Sequence, residues 1–247
     1  MESINNNKYE MKEIIIEQIE CHIYYYENTT INKIIYWVEN FTLKAPEFLR
    51  TLTSLKNYLI VGISIEEWNT NLTPWYCPKL FGKKKNNDFK GEGQKTFDWL
   101  INHCITKVEN DYSNIIEKNN LKRYIGGYSL SALFALWIFY SDKNKNEKIF
   151  NGVCACSPSL WYLKWDDYMN GRTAPGDDNI VYLSLGDKEG YTKNETFQKM
   201  RTGMVKMIEI VKNDKGIKKY FYEENKGGHY DQSELRMAKA FKWIIEN

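Results

Sequence analysis

The sequence has almost no net charge. Its 34 Lys and Arg residues nearly balance its 32 Asp and Glu residues, for a formal net charge of +2 at pH 7. A chain with this balance lacks the broad positive surface with which proteins bind nucleic acid. The run Lys83-Lys84-Lys85 is a local exception, which we interpret as a solvated loop rather than a phosphate site. We therefore expect no nucleic-acid partner.

Long hydrophobic runs are also missing. No apolar stretch approaches the roughly 20 residues that a membrane-spanning helix needs. The opening residues, MESINNN, have neither the basic nor the apolar segment of a secretory signal. These features predict no membrane partner and a cytoplasmic location.

Cysteine is scarce and scattered. There are five cysteines, an odd number at spacings that do not suggest a disulfide framework. Cys154 and Cys156 alternate in an apolar, strand-like run, which would send both thiols to the same face of a strand. We interpret the cysteines as reduced core residues and predict no metal site.

Strand-like and helix-like segments alternate along most of the chain. Strand patterns occur at 33–38, 57–63, 121–125, 149–157, 180–185 and 219–223, and helix patterns at 46–55, 94–116, 194–212, after 129 and from 232 onward. The segment from Glu13 to Tyr26 is typical of one long strand or a hairpin. The alternation predicts an α/β fold with a doubly wound, mostly parallel sheet. We expect one domain over residues 11–247, after a frayed segment at 1–10.

A serine follows two glycines at the end of one of these strands. The sequence Gly126-Gly127-Tyr128-Ser129 leads from a short strand into an apolar helix pattern. Strand, sharp turn and helix with a serine at the apex are the context of a nucleophile elbow, in which the positions two before and two after the serine must be small. Gly127 and Ser131 occupy those positions. The alternative is that Ser129 only caps the helix.

A second G-x-S triplet, Gly62-Ile63-Ser64, also ends an apolar run. The residues after it are bulky and charged and show no helical stripe, so we interpret it as a strand end followed by a loop. The context favours Ser129 over Ser64 as a nucleophile.

A serine nucleophile needs a base, and the chain has three histidines. His22 lies in the first strand region and His103 within a helix pattern, where structural roles are expected. His229 follows two glycines after the last strand pattern. In an open parallel sheet, ligands bind beyond the carboxyl ends of the strands, so His229 is the candidate base.

Two carboxylates compete for the role of the acid that orients the histidine. Asp187 and Glu189 both follow the strand pattern that ends at Gly186. We favour Glu189, with Asp187 as the alternative. Asp231, two residues after His229, is expected to cap the last helix. Either choice yields the chain order Ser, acid, His that α/β-hydrolases use.

The sequence resembles the esterase D-like family of α/β-hydrolases, which includes feruloyl esterases, formylglutathione hydrolases, siderophore trilactone hydrolases and mycolyltransferases. The stretches that carry the resemblance are Lys33–Val38 (KIIYWV), 71–75 (NLTPW), 126–136 (GGYSLSALFAL), 155–161 (ACSPSLW), 184–189 (SLGDKE) and 228–230 (GHY). The resemblance implies an α/β-hydrolase fold and a serine esterase that needs no metal or organic cofactor. It also implies that the acid stands three residues after the strand-closing glycine, at Glu189.

The resemblance further implies an oxyanion hole built from two backbone amides. The first is the N–H of Leu130, and the second comes from Asn40 or Phe41. Where the family usually carries a glycine-rich turn, this sequence has Glu39-Asn40-Phe41. A carboxylate at Glu39 would oppose a developing oxyanion, and loss of one donor typically lowers the rate by about two to three orders of magnitude.

Aromatic residues are concentrated near the predicted site. The candidates for walls of a substrate pocket are Trp68, Trp75, Tyr76, Tyr128, Trp161 and Tyr162. Each has packing against the sheet as its alternative role. We expect a small-molecule ester substrate whose acyl or aryl group would lie in this pocket. Acyl transfer to an acceptor other than water, and binding without catalysis, are the alternative functions.

Overall fold

The computed structural model of the chain describes residues 8–38, 44–78 and 88–247. These residues contain one eight-stranded sheet with the order β1-β2-β4-β3-β5-β6-β7-β8. The strands are β1 Tyr9–Ile16, β2 Ile19–Tyr26, β3 Lys33–Val38, β4 Tyr58–Ile63, β5 Lys122–Tyr128, β6 Gly152–Cys156, β7 Asn179–Gly186 and β8 Ile217–Asn225. Strands β3 to β8 pair in parallel, and β1 and β2 pair antiparallel with their neighbours. The predicted mostly parallel α/β sheet is confirmed.

The first two strands form a hairpin, one of the two structures expected for Glu13 to Tyr26. Its two-residue turn, Glu17 and Gln18, has positive φ angles of 47° and 71°. Positive φ at both turn residues gives the twist that a tight hairpin needs. Strand β1 begins at Tyr9, so the expectation of a frayed segment is wrong for Tyr9 and Glu10. Residues 1–7 lie outside the described part of the chain.

Helices lie on both faces of the sheet. They are α1 Ala45–Leu52, α2 Trp68–Asn71, α3 Gly93–Trp99, α4 Thr106–Asp111, α5 Leu130–Phe139, α6 Asp142–Glu147, α7 Trp165–Met169, α8 Glu195–Asn213 and α9 Ser233–Glu246, with a π-helical segment Leu100–Ile105 and a 3-10 turn Lys118–Asn120. Helices α2, α6 and α7 escape prediction because they are short, and α6 (DKNKNE) has no apolar stripe. None of the described helices is both long and apolar enough to cross a membrane.

Two apolar cores sandwich the sheet. Helices α5 and α8 pack into the larger core, and α1 and α9 pack into the smaller one on the opposite face. All ten residues of α5 are buried, which explains why its sequence is apolar on every side. All five cysteines are buried free thiols, in agreement with their interpretation as core residues.

Candidate active site

Ser129 occupies a strained turn between β5 and α5. Its backbone angles are φ 62° and ψ −117°, a conformation that residues with a side chain rarely adopt. The turn is held because the Ser129 N–H donates to the Cys156 carbonyl at 3.0 Å and the Ser159 N–H donates to the Ser129 carbonyl at 3.1 Å. This is the geometry of a nucleophile elbow, which projects the hydroxyl away from the sheet. The Ser129 side chain makes no helix-capping hydrogen bond, so the capping alternative is wrong.

The two small residues that flank Ser129 are packed against each other. A Cβ atom added to Gly127 would lie 2.4 Å from the Ser131 carbonyl carbon and 2.5 Å from its Oγ. The Ser131 hydroxyl accepts from the Tyr128 N–H and donates to the Tyr128 carbonyl, both at 2.8 Å. A serine at this position therefore fits the elbow and adds two hydrogen bonds to it.

The structure brings Ser129, His229 and Glu189 into one row at the carboxyl ends of β5, β8 and β7. His229 Nε2 lies 2.9 Å from Ser129 Oγ, and His229 Nδ1 lies 2.7 Å from Glu189 Oε2. Both are hydrogen-bond distances. If Nδ1 carries the proton and donates to Glu189, Nε2 is free to accept the proton of the serine hydroxyl.

Asp187 is placed elsewhere. Its Oδ1 accepts from the Gly227 N–H at 2.8 Å and so ties the loop after β7 to the loop after β8. Of the two candidate carboxylates, Glu189 is thus the one that contacts the imidazole. Asp231 does not cap α9, because Gln232 occupies the cap position and Asp231 Oδ2 accepts from the Gly228 N–H at 2.7 Å.

The Glu189 carboxylate is buried, with 1% of its side chain exposed, and is surrounded by donors. Its Oε1 accepts from Ser157 Oγ at 2.6 Å, the Gly186 N–H at 2.8 Å and Arg236 Nη1 at 3.0 Å. Burial by itself raises the pKa of this carboxyl, but His229 and the bonds from Ser157 and Gly186 outweigh burial and hold the pKa below its usual value. The group therefore stays ionised at neutral pH.

This lowered pKa makes the contribution of Glu189 to stability dependent on pH. A carboxyl whose pKa is lower in the folded protein stabilises it fully above the unfolded value of about 4.3, and the effect disappears as pH falls through the folded value. We expect Glu189→Gln to lower the free energy of unfolding by about 3 kcal/mol at pH 7, because it removes one partner of a buried ion pair. The difference in the free energy of unfolding between the wild type and Glu189→Gln should become smaller as the pH falls from 5 to 3.

Denaturant unfolding at several pH values measures this difference. Glu66→Gln, at an exposed glutamate on the surface, serves as the matched control and should change stability little at any pH. A difference for Glu189→Gln that is the same at pH 7 and pH 3 would contradict the assignment.

Arg236 is a site residue that sequence reasoning missed. It lies in α9 with 1% of its surface exposed and contacts Glu189. The available signal was its register, since Arg236 shares a helical stripe with Ala240 and Ile244, both buried. A lone arginine within an apolar stripe is unusual unless it is paired. The other two histidines contact glutamates on the surface, His22 with Glu20 and His103 with Glu17.

One of the two predicted oxyanion donors lies within the described residues. Leu130 is the first residue of α5, so its N–H has no acceptor one turn earlier within the helix. It directly follows Ser129 at the apex of the elbow. Asn40 and Phe41, the candidates for the second donor, lie outside the described residues, as does Glu39.

A cleft of about 310 Å³ opens onto the row of three side chains. It is lined by Ser129, Ser159, Trp161, Lys188, Glu189, Gly190, Thr192, Phe197, Met200, His229 and Tyr230. Trp161 is among the aromatic residues predicted to wall the pocket. Phe197 and Met200 join it to form an apolar wall, and they were not predicted because both lie on α8, whose first turn follows a polar loop.

Five predicted wall residues are not among the described residues that line the cleft. These are Trp68, Trp75, Tyr76, Tyr128 and Tyr162. Trp68 packs against the larger core. The Tyr128 hydroxyl donates to the backbone carbonyl of His229 at 2.6 Å, so it contacts the site from behind the cleft.

The other three aromatic residues hold loops together. Trp75 Nε1 donates to the Leu163 carbonyl at 2.8 Å, and the Tyr162 hydroxyl donates to the Trp75 carbonyl at 2.6 Å. Tyr76 is 60% exposed and its hydroxyl contacts Asp88 at 3.0 Å. These contacts between loops differ from both expected roles, a wall of the cleft and packing against the sheet.

Comparison with known proteins identifies the fold. No protein-family model and no curated protein sequence matches the chain. Similar solved structures include the siderophore hydrolases EstA and EstB from Aspergillus nidulans. EstA has a TM-score of 0.69 and 14% sequence identity, and the match covers 100% of this chain and 97% of EstA. EstB has a TM-score of 0.69 and 15% sequence identity, and the match covers 96% of this chain and 95% of EstB. An IroE-like serine hydrolase from Shewanella oneidensis has a TM-score of 0.68 at 12% identity over 97% of this chain and 80% of its own. The sheet order, the elbow at Ser129 and these similar structures together establish that the chain has the α/β-hydrolase fold.

Proposed function

We propose that this protein is a serine hydrolase that cleaves a carboxylic ester. The observation that carries the proposal is the continuous contact from Ser129 Oγ through His229 to Glu189 at the end of the sheet. The stability of the fold does not require a strained turn, a buried carboxylate and a hydroxyl facing an open cleft to lie together. They favour catalysis over binding alone.

In the proposed mechanism, Ser129 Oγ attacks the ester carbonyl while His229 Nε2 takes the serine proton. The C–O bond to the leaving alcohol then breaks, and the imidazolium returns the proton to that alcohol. In the second half of the reaction, water attacks the acyl-enzyme carbonyl while His229 takes a proton from the water. The bond to Ser129 Oγ then breaks, the imidazolium returns the proton to that oxygen, and the carboxylic acid product is released. Glu189 stays ionised throughout, holds the Nδ1 proton of His229 and stabilises the imidazolium.

The tetrahedral intermediate needs donors for its oxyanion. We assign one donor to the Leu130 N–H, and its position at the start of α5, where it has no helical acceptor, supports this assignment. We propose Asn40 or Phe41 for the second. The sheet that carries all three side chains runs from β1 to β8, which supports a single domain over residues 11–247.

The cleft favours esters with a small apolar acyl or aryl group. Its volume of about 310 Å³ is near the lower end of the range for ligand pockets. Trp161, Phe197 and Met200 form its apolar wall. Since two similar structures are siderophore hydrolases, siderophore esters belong in the substrate panel with p-nitrophenyl, feruloyl and thioester substrates.

A fluorophosphonate probe tests the proposal directly. Attack by Ser129 Oγ on phosphorus would displace fluoride and leave a stable phosphonyl-serine. We expect stoichiometric labelling, mapped by mass spectrometry to the peptide that contains Ser129. Folded protein that is neither labelled nor active on the ester panel would overturn the proposal. Product analysis with an added alcohol separates hydrolysis from acyl transfer.

Phe197 is expected to limit the length of the acyl chain. Its ring is half-buried and meets Trp161 edge-on, with centroids 6.2 Å apart. Truncation by Phe197→Ala should open this wall, so the ratio of kcat/KM for p-nitrophenyl octanoate to that for the butyrate should rise about 10-fold. Phe221→Ala, at a half-exposed phenylalanine on β8, is the control and should leave the ratio unchanged. An unchanged ratio in Phe197→Ala would place the acyl chain elsewhere.

A further inference from the structure

Behind the row of Ser129, His229 and Glu189 lies a buried guanidinium. Arg236 Nη1 is 3.0 Å from Glu189 Oε1, and Arg236 Nη2 donates to the Gly228 carbonyl at 2.9 Å and the Lys226 carbonyl at 3.2 Å. One planar group therefore holds both the candidate acid and the backbone next to His229. The fixed fork of an arginine can do this, and the single ammonium of a lysine cannot.

The Tyr128 hydroxyl completes the connection. It accepts from Arg236 Nη1 at 3.0 Å and donates to the His229 carbonyl at 2.6 Å. Its ring also meets the imidazole, with centroids 5.5 Å apart. Because Tyr128 directly precedes Ser129, this hydroxyl joins the elbow to the backbone of the candidate base.

The loop before His229 needs such a tether. It contains Gly227 and Gly228, and Gly227 has a φ angle of 103°. Glycine allows a wide range of backbone angles, so this loop has little conformational preference of its own. A catalytic imidazole must be held to within a fraction of an ångström to act on the serine proton.

We infer that Tyr128 and Arg236 act as one positioning unit that holds the His229 imidazole between Glu189 and Ser129. This inference rests on the proposed function. Neither residue lines the cleft or contacts the reacting atoms. The unit therefore acts on the rate of proton transfer and leaves substrate binding unchanged.

Tyr128→Phe, Arg236→Lys and the double variant test the inference on a p-nitrophenyl ester. Phenylalanine keeps the ring and removes only the hydroxyl, and lysine keeps the charge and removes the fork, so both variants are suited to remain folded. Each single variant should lower kcat about 10- to 100-fold with KM changed less than about 2-fold. In the double variant the loss should be close to that of the more impaired single variant, because residues that act as a unit are not additive.

Tyr182→Phe is the matched control. Tyr182 is likewise buried on the sheet. Its hydroxyl lies 2.5 Å from Oε2 of Glu223, which is outside the site. This variant should keep the wild-type kcat. Thermal unfolding of all variants separates loss of positioning from loss of fold.

Three results would overturn the inference in an active wild-type protein. They are an unchanged kcat in Tyr128→Phe, a rise in KM without a fall in kcat, and full additivity in the double variant. An inactive and unlabelled wild type would instead overturn the proposed function, so the two failures are distinguishable.

Discussion

Ser129→Ala is expected to lower kcat for an aryl ester by roughly 10⁶-fold, the loss seen when the nucleophile of a serine triad is removed. Without the hydroxyl, no acyl-enzyme forms, and His229 has no serine proton to accept. The cleft is unchanged, so KM should stay close to the wild-type value. The residual rate would come from binding and from the oxyanion donors.

The second G-x-S triplet provides the control for this prediction. Ser64 follows β4, and its N–H donates to the Glu20 carbonyl at 3.0 Å, away from the cleft. Ser64→Ala should keep full activity and full labelling by the fluorophosphonate probe. Activity that persists in Ser129→Ala, or disappears in Ser64→Ala, would show that the nucleophile is misassigned.

Gly127→Ala is expected to damage both the fold and the site. The new Cβ would lie 2.4 Å from a backbone atom of Ser131, closer than real Cβ contacts allow. Either the elbow or the first turn of α5 must move, at a cost of about 3 kcal/mol. A shift of this kind displaces the Ser129 hydroxyl, so kcat should also fall about 100-fold in the protein that remains folded.

Gly171→Ala separates crowding from the loss of glycine itself. Gly171 has a φ angle of 73°, and an added Cβ would meet no atom within 4 Å. Its cost should be about 1 kcal/mol, from backbone strain alone, and kcat should not change. Denaturant unfolding and steady-state kinetics measure both variants. Wild-type stability and activity in Gly127→Ala would contradict the packing requirement of the elbow.

The contact between Ser129 and His229 was predictable because the signals of both residues in the sequence are local or few. The elbow at Ser129 depends on residues within two positions of it, and the helix behind it has a continuous apolar sequence. His229 stood out among three histidines because it follows the end of a strand. The strands themselves were found from apolar runs, since a parallel sheet covered on both faces requires them.

The spacing alone did not decide which carboxylate contacts His229. Asp187 and Glu189 lie on the same loop, two residues apart, and either carboxylate suits a histidine. The hydrogen bond from the Gly227 N–H holds Asp187 away, and the donors at Ser157, Gly186 and Arg236 hold Glu189 in place. These partners come from the residue after β6, the end of β7, α9 and the loop after β8, so the choice depends on how those elements pack.

The walls of the cleft were the least predictable part of the site. Trp75 and Trp161 are equally apolar, yet one bonds to the Leu163 carbonyl and the other lines the cleft. Phe197 and Met200 reach the cleft only because α8 packs beside the end of β7. Such contacts join residues far apart in the chain, and no local pattern encodes them.

The amino-acid sequence by itself determined the order of the strands and the longer helices, the elbow at Ser129 and the position of His229. Each of these follows from periodicity or from steric limits within a few residues. Only the tertiary structure decided that Glu189 contacts the imidazole, that Arg236 and Tyr128 lie behind it, and which aromatic side chains line the cleft. Those outcomes depend on burial and on hydrogen bonds between distant segments, which exist only once the sheet has formed.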